Sequence, residues 1–133
     1  MTLVIDAALV AAALVDDGAD GRWAESMLLS DHVAAPHLMP VEAADILRRA
    51  AFAGNVSDDT ASMAHADLAQ LRVELFPYEP FGPRVWELRS NVSAYDAWYV
   101  ALAESLEAPL GTLDVRLSRA PGTRCTFLTP PPR

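Results

Sequence analysis

Four acidic residues stand where their chemistry can be pooled: Asp6, Glu42, Asp96 and Asp114. Asp6 ends the short apolar, β-branched run Thr2-Leu3-Val4-Ile5. Such a run fits a strand buried on both faces of a parallel sheet. Asp114 directly follows another, Leu110 to Leu113. Glu42 falls near the start of a helix expected from Met39 to Ala53, and Asp96 near the start of one opened by Ser93. In a βαβ unit the helix runs antiparallel to its strands. Its first turn therefore lies over the carboxyl edge of the sheet, the edge at which open α/β folds hold ligands. All four acids are expected there. If the first and fourth strands are neighbours, Asp6 and Asp114 stand roughly 5 Å apart laterally.

Each acid also has a structural role open to it. Asp6 and Asp114 can cap the helices that follow them. Glu42 favours a helix dipole, and Ser93 with Asp96 approximates a capping box. These roles do not explain four carboxylates at one edge. Like charges gathered closely repel and raise one another's pKa unless a cation lies among them. Donors that are all oxygen suit a hard ion, Mg²⁺ with Mn²⁺ as a substitute. His32, His37 and His65 lack metal-ligand spacing, and the lone Cys125 reads as a packed, inert thiol.

The elements that must position the acids alternate regularly. Strands are expected over 2–5, 32–35, 73–76, 110–113 and 124–128. Helices are expected over 7–15, from Asp20 or Gly21 to Leu29, 39–53, from the Ser57 cap to Leu71, from Pro83 to about Asn91, from Ser93 onward, and briefly after Asp114. The pattern βαα-βαα-βαα-βα-β implies an α/β fold: a three-layer sandwich around a mainly parallel five-stranded sheet, with about seven helices. Residues 1–128 form one domain on this reading, and the Pro-rich tail 129–133 is expected to be extended and mobile.

Composition narrows the function. Of 133 residues 52% are apolar, enough for a substantial core, and no apolar run reaches the length of a membrane helix. No basic residue precedes the first apolar run, which argues against a signal peptide. A soluble, cytoplasmic protein with no membrane partner is the expectation. There are ten Arg and no Lys. That excludes Schiff-base, P-loop-lysine and Ser-Lys chemistry, and argues against a phospho-acceptor receiver domain. The formal charge is −8, opposite to that of a usual nucleic-acid binder. A nucleic-acid role then calls for bound cations, and a basic protein partner is a second natural consequence.

The sequence carries a family resemblance in four blocks. They are Val4-Ile5-Asp6-Ala7; Pro40-Val41-Glu42-Ala43-Ala44-Asp45-Ile46-Leu47-Arg48-Arg49; Tyr95-Asp96-Ala97-Trp98-Tyr99-Val100-Ala101-Leu102-Ala103; and Thr112-Leu113-Asp114-Val115-Arg116-Leu117. In order and spacing these resemble a PIN domain, and more narrowly the VapC toxins of bacterial type II toxin–antitoxin modules. The resemblance implies a Mg²⁺-dependent endoribonuclease. Asp6, Glu42, Asp96 and Asp114 match its acidic, catalytic metal-site positions, and Thr112 a supporting Thr/Ser. It further implies an RNA substrate, a VapB-like antitoxin partner and a homodimer. Water would attack phosphorus, with no covalent enzyme intermediate, leaving a 5′-phosphate and a 3′-hydroxyl. The antitoxin would lay a helix on apolar surface near Trp23 and the third and fourth helices and direct a basic tail at the acids. Two departures stand out: Ala8 replaces a frequent Ser, and Asp45 replaces a frequent Asn. Asp45 lies one turn from Glu42 and can either add a charge beside the site or pair with Arg49 at i+4, the pairing being the expectation.

Two rival readings follow from the same residues. One is a non-catalytic binding module of the same fold, against which the full set of acids weighs. The other is a Mg²⁺-dependent phosphatase. Haloacid-dehalogenase-like members need an Asp two residues after the first, where Ala8 stands, and a lysine, which is absent.

Overall fold

The computed structural model describes residues 1–132. Five strands form its sheet: β1 (Thr2–Ile5), β2 (His32–Pro36), β3 (Glu74–Phe76), β4 (Leu110–Gly111) and β5 (Phe127–Leu128). Seven α-helices connect them: α1 (Ala7–Val15), α2 (Ala19–Met27), α3 (Met39–Phe52), α4 (Asp58–Gln70), α5 (Gly82–Glu87), α6 (Ala94–Leu106) and α7 (Val115–Ser118). A single 3₁₀ turn at Glu79–Phe81, unmarked in the sequence pattern, precedes α5.

The strand order is β3-β2-β1-β4-β5, and every pairing is parallel. The chain winds outward from β1 to β3, then crosses back to β4 on the other side of β1. Right-handed crossovers place the helices of the two halves on opposite faces. Accordingly α1 packs on α2, α3 and α4, while α6 packs on α5, β1, β2 and β4. Between them Leu3, Val4, Ile5, Ala34, Ala35 and Leu110 are buried within the sheet. The order reverses between β1 and β4, and the crevice at that switch point is where an open α/β sheet binds ligands.

Local chemistry fixes the helix ends. The Ser57 side chain accepts from Thr60 N–H and the Ser93 side chain from Asp96 N–H. Pro40 stands in the first turn of α3, where a missing N–H costs nothing. Gly21 on α2 abuts the end of α1: a Cβ there would lie 1.8 Å from the Asp16 carbonyl oxygen. Trp23, Met27 and Leu28 are half-buried and pack against the core.

Three elements are shorter than their sequence pattern suggests. α5 ends at Glu87 rather than Asn91, and the following N–H groups of Arg89 and Asn91 bond three residues back. β4 stops at Gly111 rather than Leu113: the Thr112 N–H still bonds to the Leu128 carbonyl, and beyond it the Asp114 N–H turns to the Thr112 hydroxyl. β5 begins at Phe127 rather than Arg124, because the Arg124 N–H is diverted to the Glu104 carboxylate. Cys125 thus lies outside the strand. Its thiol is half-buried and pushed up to about 11 by burial, with Glu104 adding to the effect, as suits an inert packing residue. In the tail, Thr129 and Pro130 are half-buried, and Arg133 lies outside the described residues.

Candidate active site

Asp6, Glu42, Asp96 and Asp114 line a single cavity of about 440 Å³ at the carboxyl edge of the sheet. They arrive on four separate segments. Asp6 directly follows β1 and caps α1, with Oδ1 accepting from Leu9 N–H at 2.9 Å. Glu42 is in the first turn of α3 and Asp96 in the first turn of α6. Asp114 caps α7, its Oδ1 accepting from Arg116 N–H at 2.9 Å and Leu117 N–H at 3.2 Å. Capping and convergence therefore coexist: the caps hold the backbone, and the same side chains border the cavity.

The register corrects one expected detail. β1 and β4 are neighbours, with Val4 opposite Leu110 and Ile5 opposite Gly111. One step further, Thr112 rather than Asp114 stands beside Asp6. Thr112 is 0% exposed. Its hydroxyl donates to Asp6 Oδ2, and its oxygen accepts the Asp114 N–H at 2.9 Å. Asp6 and Asp114 are thus joined through Thr112 rather than facing directly.

Electrostatics mark the same spot. Burial pushes the Asp6 carboxyl from 3.8 up to about 6, against the lowering effect of the Thr112 and Leu9 hydrogen bonds and with Asp96 and Asp114 adding repulsion. Asp96 is raised too, first by burial and then by Asp114, while Ser93 and Arg116 oppose the shift. These are carboxylates whose charge the surroundings disfavour, as functional sites often show.

Tyr99 is a site residue that sequence reasoning passed over. It is 2% exposed, lines the cavity and donates its hydroxyl to Glu42 Oε1 at 2.7 Å. Burial, then the Glu42 and Asp6 charges, keep its proton on well beyond the usual phenol range. The available signal was its position three residues after Asp96, on the same face of α6. Asp45 and Arg49 border the cavity as well. Asp45 forks to Arg48 at 2.8 Å and Arg49 at 3.3 Å, the pairing expected from the i+4 spacing. Ala8 lines the cavity and adds no ligand there. His32 is taken up by Thr2 and Glu74 at the far end of β2.

The donor set fits a hard divalent cation. It is all oxygen, it comes from four carboxylates on one cavity, and two of these are held at raised pKa. Among the described residues no three His, Cys, Asp or Glu side chains form a ready-made ligand cluster. The acids border a space instead, and lone pairs remain on the oxygens that already accept hydrogen bonds.

A second, more apolar groove of about 420 Å³ lies between α3, α4 and β3, lined by Met39, Val41, Ala44, Leu68, Val73 and Leu75 among others. Val41 borders both spaces.

No family model matches the chain. Ribonuclease VapC1 of Mycobacterium tuberculosis is 41% identical over 123 residues, 92% of this chain and 92% of that protein. Ribonuclease VapC9 of the same species is 36% identical over 129 residues, 97% of this chain and 98% of the relative. Among solved structures, PAE2754 from Pyrobaculum aerophilum superposes with a TM-score of 0.72 at 21% identity, covering 96% of this chain and 83% of that one. M. tuberculosis VapC20, a Sarcin-Ricin loop cleaving toxin, gives 0.68 at 18% identity, covering 92% and 96%. The structural matches establish the fold; the sequence matches, spanning nearly the full length of both partners, place the chain in the VapC ribonuclease family, the PIN-domain toxins of toxin–antitoxin systems.

Proposed function

We propose that this chain is the toxin of a VapBC-type pair and cleaves RNA by divalent-cation-dependent hydrolysis. The observation that carries the reading is the convergence of Asp6, Glu42, Asp96 and Asp114, from four segments, on one cavity. Asp6, Asp96 and Asp114 would hold the ion, with Glu42 bound directly or through water; Mg²⁺ is the ion proposed, and Mn²⁺ a substitute. When bound, such an ion lowers the pKa of an attacking water and screens charge on the phosphate.

The chain's own groups do the rest. Thr112 holds Asp6 in one rotamer, and Tyr99 does the same for Glu42. The N–H groups of α7 fix Asp114. The oxygen of water bonds to phosphorus while the bond to the ribose 3′-oxygen breaks, giving a 5′-phosphate and a 3′-hydroxyl. No side chain forms a bond to the substrate in this scheme. An RNA substrate makes the cytoplasm the proposed compartment; among the described residues no helix is long and apolar enough to cross a membrane.

The proposed regulator is a VapB-like antitoxin. The apolar groove between α3, α4 and β3 supplies a seat for its helix, away from Trp23, which the core takes up. Val41 forms the ridge between groove and acidic cavity, so a basic segment following that helix reaches the carboxylates over a short path. A homodimer is the proposed assembly, for which exposed Phe52, Met63 and Trp86 offer apolar surface.

The test uses antitoxin-free protein and total RNA, in Mg²⁺ or Mn²⁺ and in EDTA. Cutting that needs the ion and is lost in Asp6→Asn is expected. Cutting by Asp6→Asn at the wild-type rate removes the ion assignment. No ion-dependent cutting by the wild type favours the non-catalytic binding module.

A further inference from the structure

On the ribonuclease reading, an RNA strand must settle on a cavity lined with carboxylates in a chain of formal charge −8. Phosphate neutralisation by Lys and Arg, the usual source of affinity, is weak here. There is no Lys. Of the arginines at the acids, Arg49 is paired with Asp45 at 3.3 Å, and the charge of Arg116 acts on Asp96. The strand needs a contact that does not depend on charge.

Tyr95 supplies one. It immediately precedes Asp96 at the start of α6, lines the cavity and is 61% exposed. The other aromatic side chain of the cavity, Tyr99, is occupied, and Tyr78 and Trp86 elsewhere in the fold carry partners of their own. Tyr99 is buried against Glu42, Tyr78 packs edge-on to Trp98 at 5.3 Å, and Trp86 lies under the Arg89 guanidinium at 4.7 Å. The Tyr95 side chain has no hydrogen bond, ion pair or ring contact among the described residues. Val41, on α3, borders the same cavity and is 65% exposed. An aromatic face and an aliphatic side chain, both left in water beside a phosphate-cleaving centre, match the flat apolar faces of a nucleobase.

We propose that Tyr95 is a nucleobase platform for single-stranded RNA: the base next to the scissile phosphate stacks on its ring, with Val41 forming the apolar bank across the cavity. Stacking is sequence-tolerant and insensitive to the net charge of the protein. It places the phosphate near Asp96, which lines the same cavity. The inference rests on the ribonuclease reading and adds the contact by which substrate is held.

The experiment measures binding in a cutting-deficient Asp6→Asn background, with fluorescein-labelled random-sequence single-stranded RNA in Mg²⁺, by anisotropy. Adding Tyr95→Ala is expected to raise Kd about tenfold, whereas Tyr95→Phe and Tyr95→Trp stay within about twofold of the background. The slope of log Kd against log salt stays unchanged, because no phosphate contact is lost. Thermal unfolding of each variant matches the background, since the residue is exposed. The proposal is overturned by a Tyr95→Ala Kd within about twofold of the background, by a Phe variant as weak as Ala, by a changed salt slope, or by a background protein that binds no RNA. A Tyr95→Ala variant that binds RNA normally but loses a basic protein partner assigns the ring to that partner instead. The ribonuclease reading is decided separately, by whether wild-type protein cuts total RNA in Mn²⁺ and stops in EDTA.

Discussion

Thr112 donates a hydrogen bond from its hydroxyl to Asp6 Oδ2 from a fully buried position beside it in the sheet. The same oxygen accepts the Asp114 N–H, so one side chain sets the spacing of two acids. Thr112→Val keeps the shape and deletes both bonds. It is expected to lower the unfolding free energy by about 1–3 kcal/mol, the cost of stranding buried polar groups. Because the Thr112 bond opposes the rise of the Asp6 pKa, the substitution moves that pKa further above about 6. Urea unfolding and NMR titration of the Asp6 carboxyl check the two effects. Thr112→Ser, which keeps the hydroxyl, stays within about 1 kcal/mol of wild type.

The Asp6 shift has a stability consequence of definite sign. Its carboxyl titrates at 3.8 in the unfolded chain and about 6 in the fold, so the native state holds the proton more tightly. Where the native state binds more protons, stability falls as pH rises. The penalty is absent below the unfolded value, grows between the two and is complete above the folded one. In metal-free protein Asp6→Asn, although it gives up one acceptor, is expected to exceed wild type by about 1 kcal/mol above pH ~6 and to lose that advantage below pH ~4. Mn²⁺ reverses the order: it raises the wild-type Tm more at about pH 7 than at about pH 5, where protons compete for Asp6, and leaves Asp6→Asn nearly unmoved. Thermal scans across this range, with and without Mn²⁺, decide it.

The rim of acids was legible in the sequence because it follows from topology alone. Strand ends and helix starts meet at one sheet edge whatever the packing, and Asp6, Glu42, Asp96 and Asp114 were locatable from apolar runs and caps. The partner of Asp6 was not legible, since it depends on register: an offset of two residues puts Thr112 where Asp114 was expected. The lengths of β4 and β5 were overread for a related reason. The Arg124 N–H leaves the sheet for Glu104, a contact across 20 residues that no local pattern announces. Tyr99 was hidden by its neighbours. Just ahead of Val100-Ala101-Leu102-Ala103 a tyrosine reads as core, and only the fold shows that its hydroxyl ends at Glu42.

That hydrogen bond predicts a division between turnover and binding. Tyr99 is a positioning residue, acting through Glu42. Its phenol stays protonated throughout the assay range, so it donates at every pH tested. Tyr99→Phe keeps the buried ring and frees the Glu42 carboxylate to rotate. The expected result is a kcat about tenfold lower, a KM within about twofold and a stability loss of about 1 kcal/mol. An unchanged kcat, measured on any RNA the wild type cuts, removes the positioning role.

Glu104 offers the opposite pH signature at the far end of the same helix. It lies eight residues beyond Asp96 on α6, about 12 Å by helical rise. Both its oxygens accept from Arg84, at 2.7 and 3.2 Å, and Oε2 also accepts the Arg124 N–H at 2.7 Å. The side chains of Arg84 and Glu104 are only 19% and 14% exposed. Burial raises the Glu104 carboxyl, but Arg84 and the Arg124 N–H together bring it below its usual 4.5. A depressed carboxylate contributes stability above its unfolded pKa and loses it as pH falls through the folded one. Glu104→Gln is therefore expected to cost about 1–2 kcal/mol at neutral pH and to converge on wild type below the range of its folded pKa. Asp6→Asn and Glu104→Gln then diverge from wild type in opposite directions as pH rises. The Mn²⁺ shift in Tm stays intact in Glu104→Gln, because the pair ties α5, α6 and the approach to β5 without touching the cavity. Loss of that shift would mean that the two ends of α6 are mechanically coupled and that the ion pair helps to place Asp96.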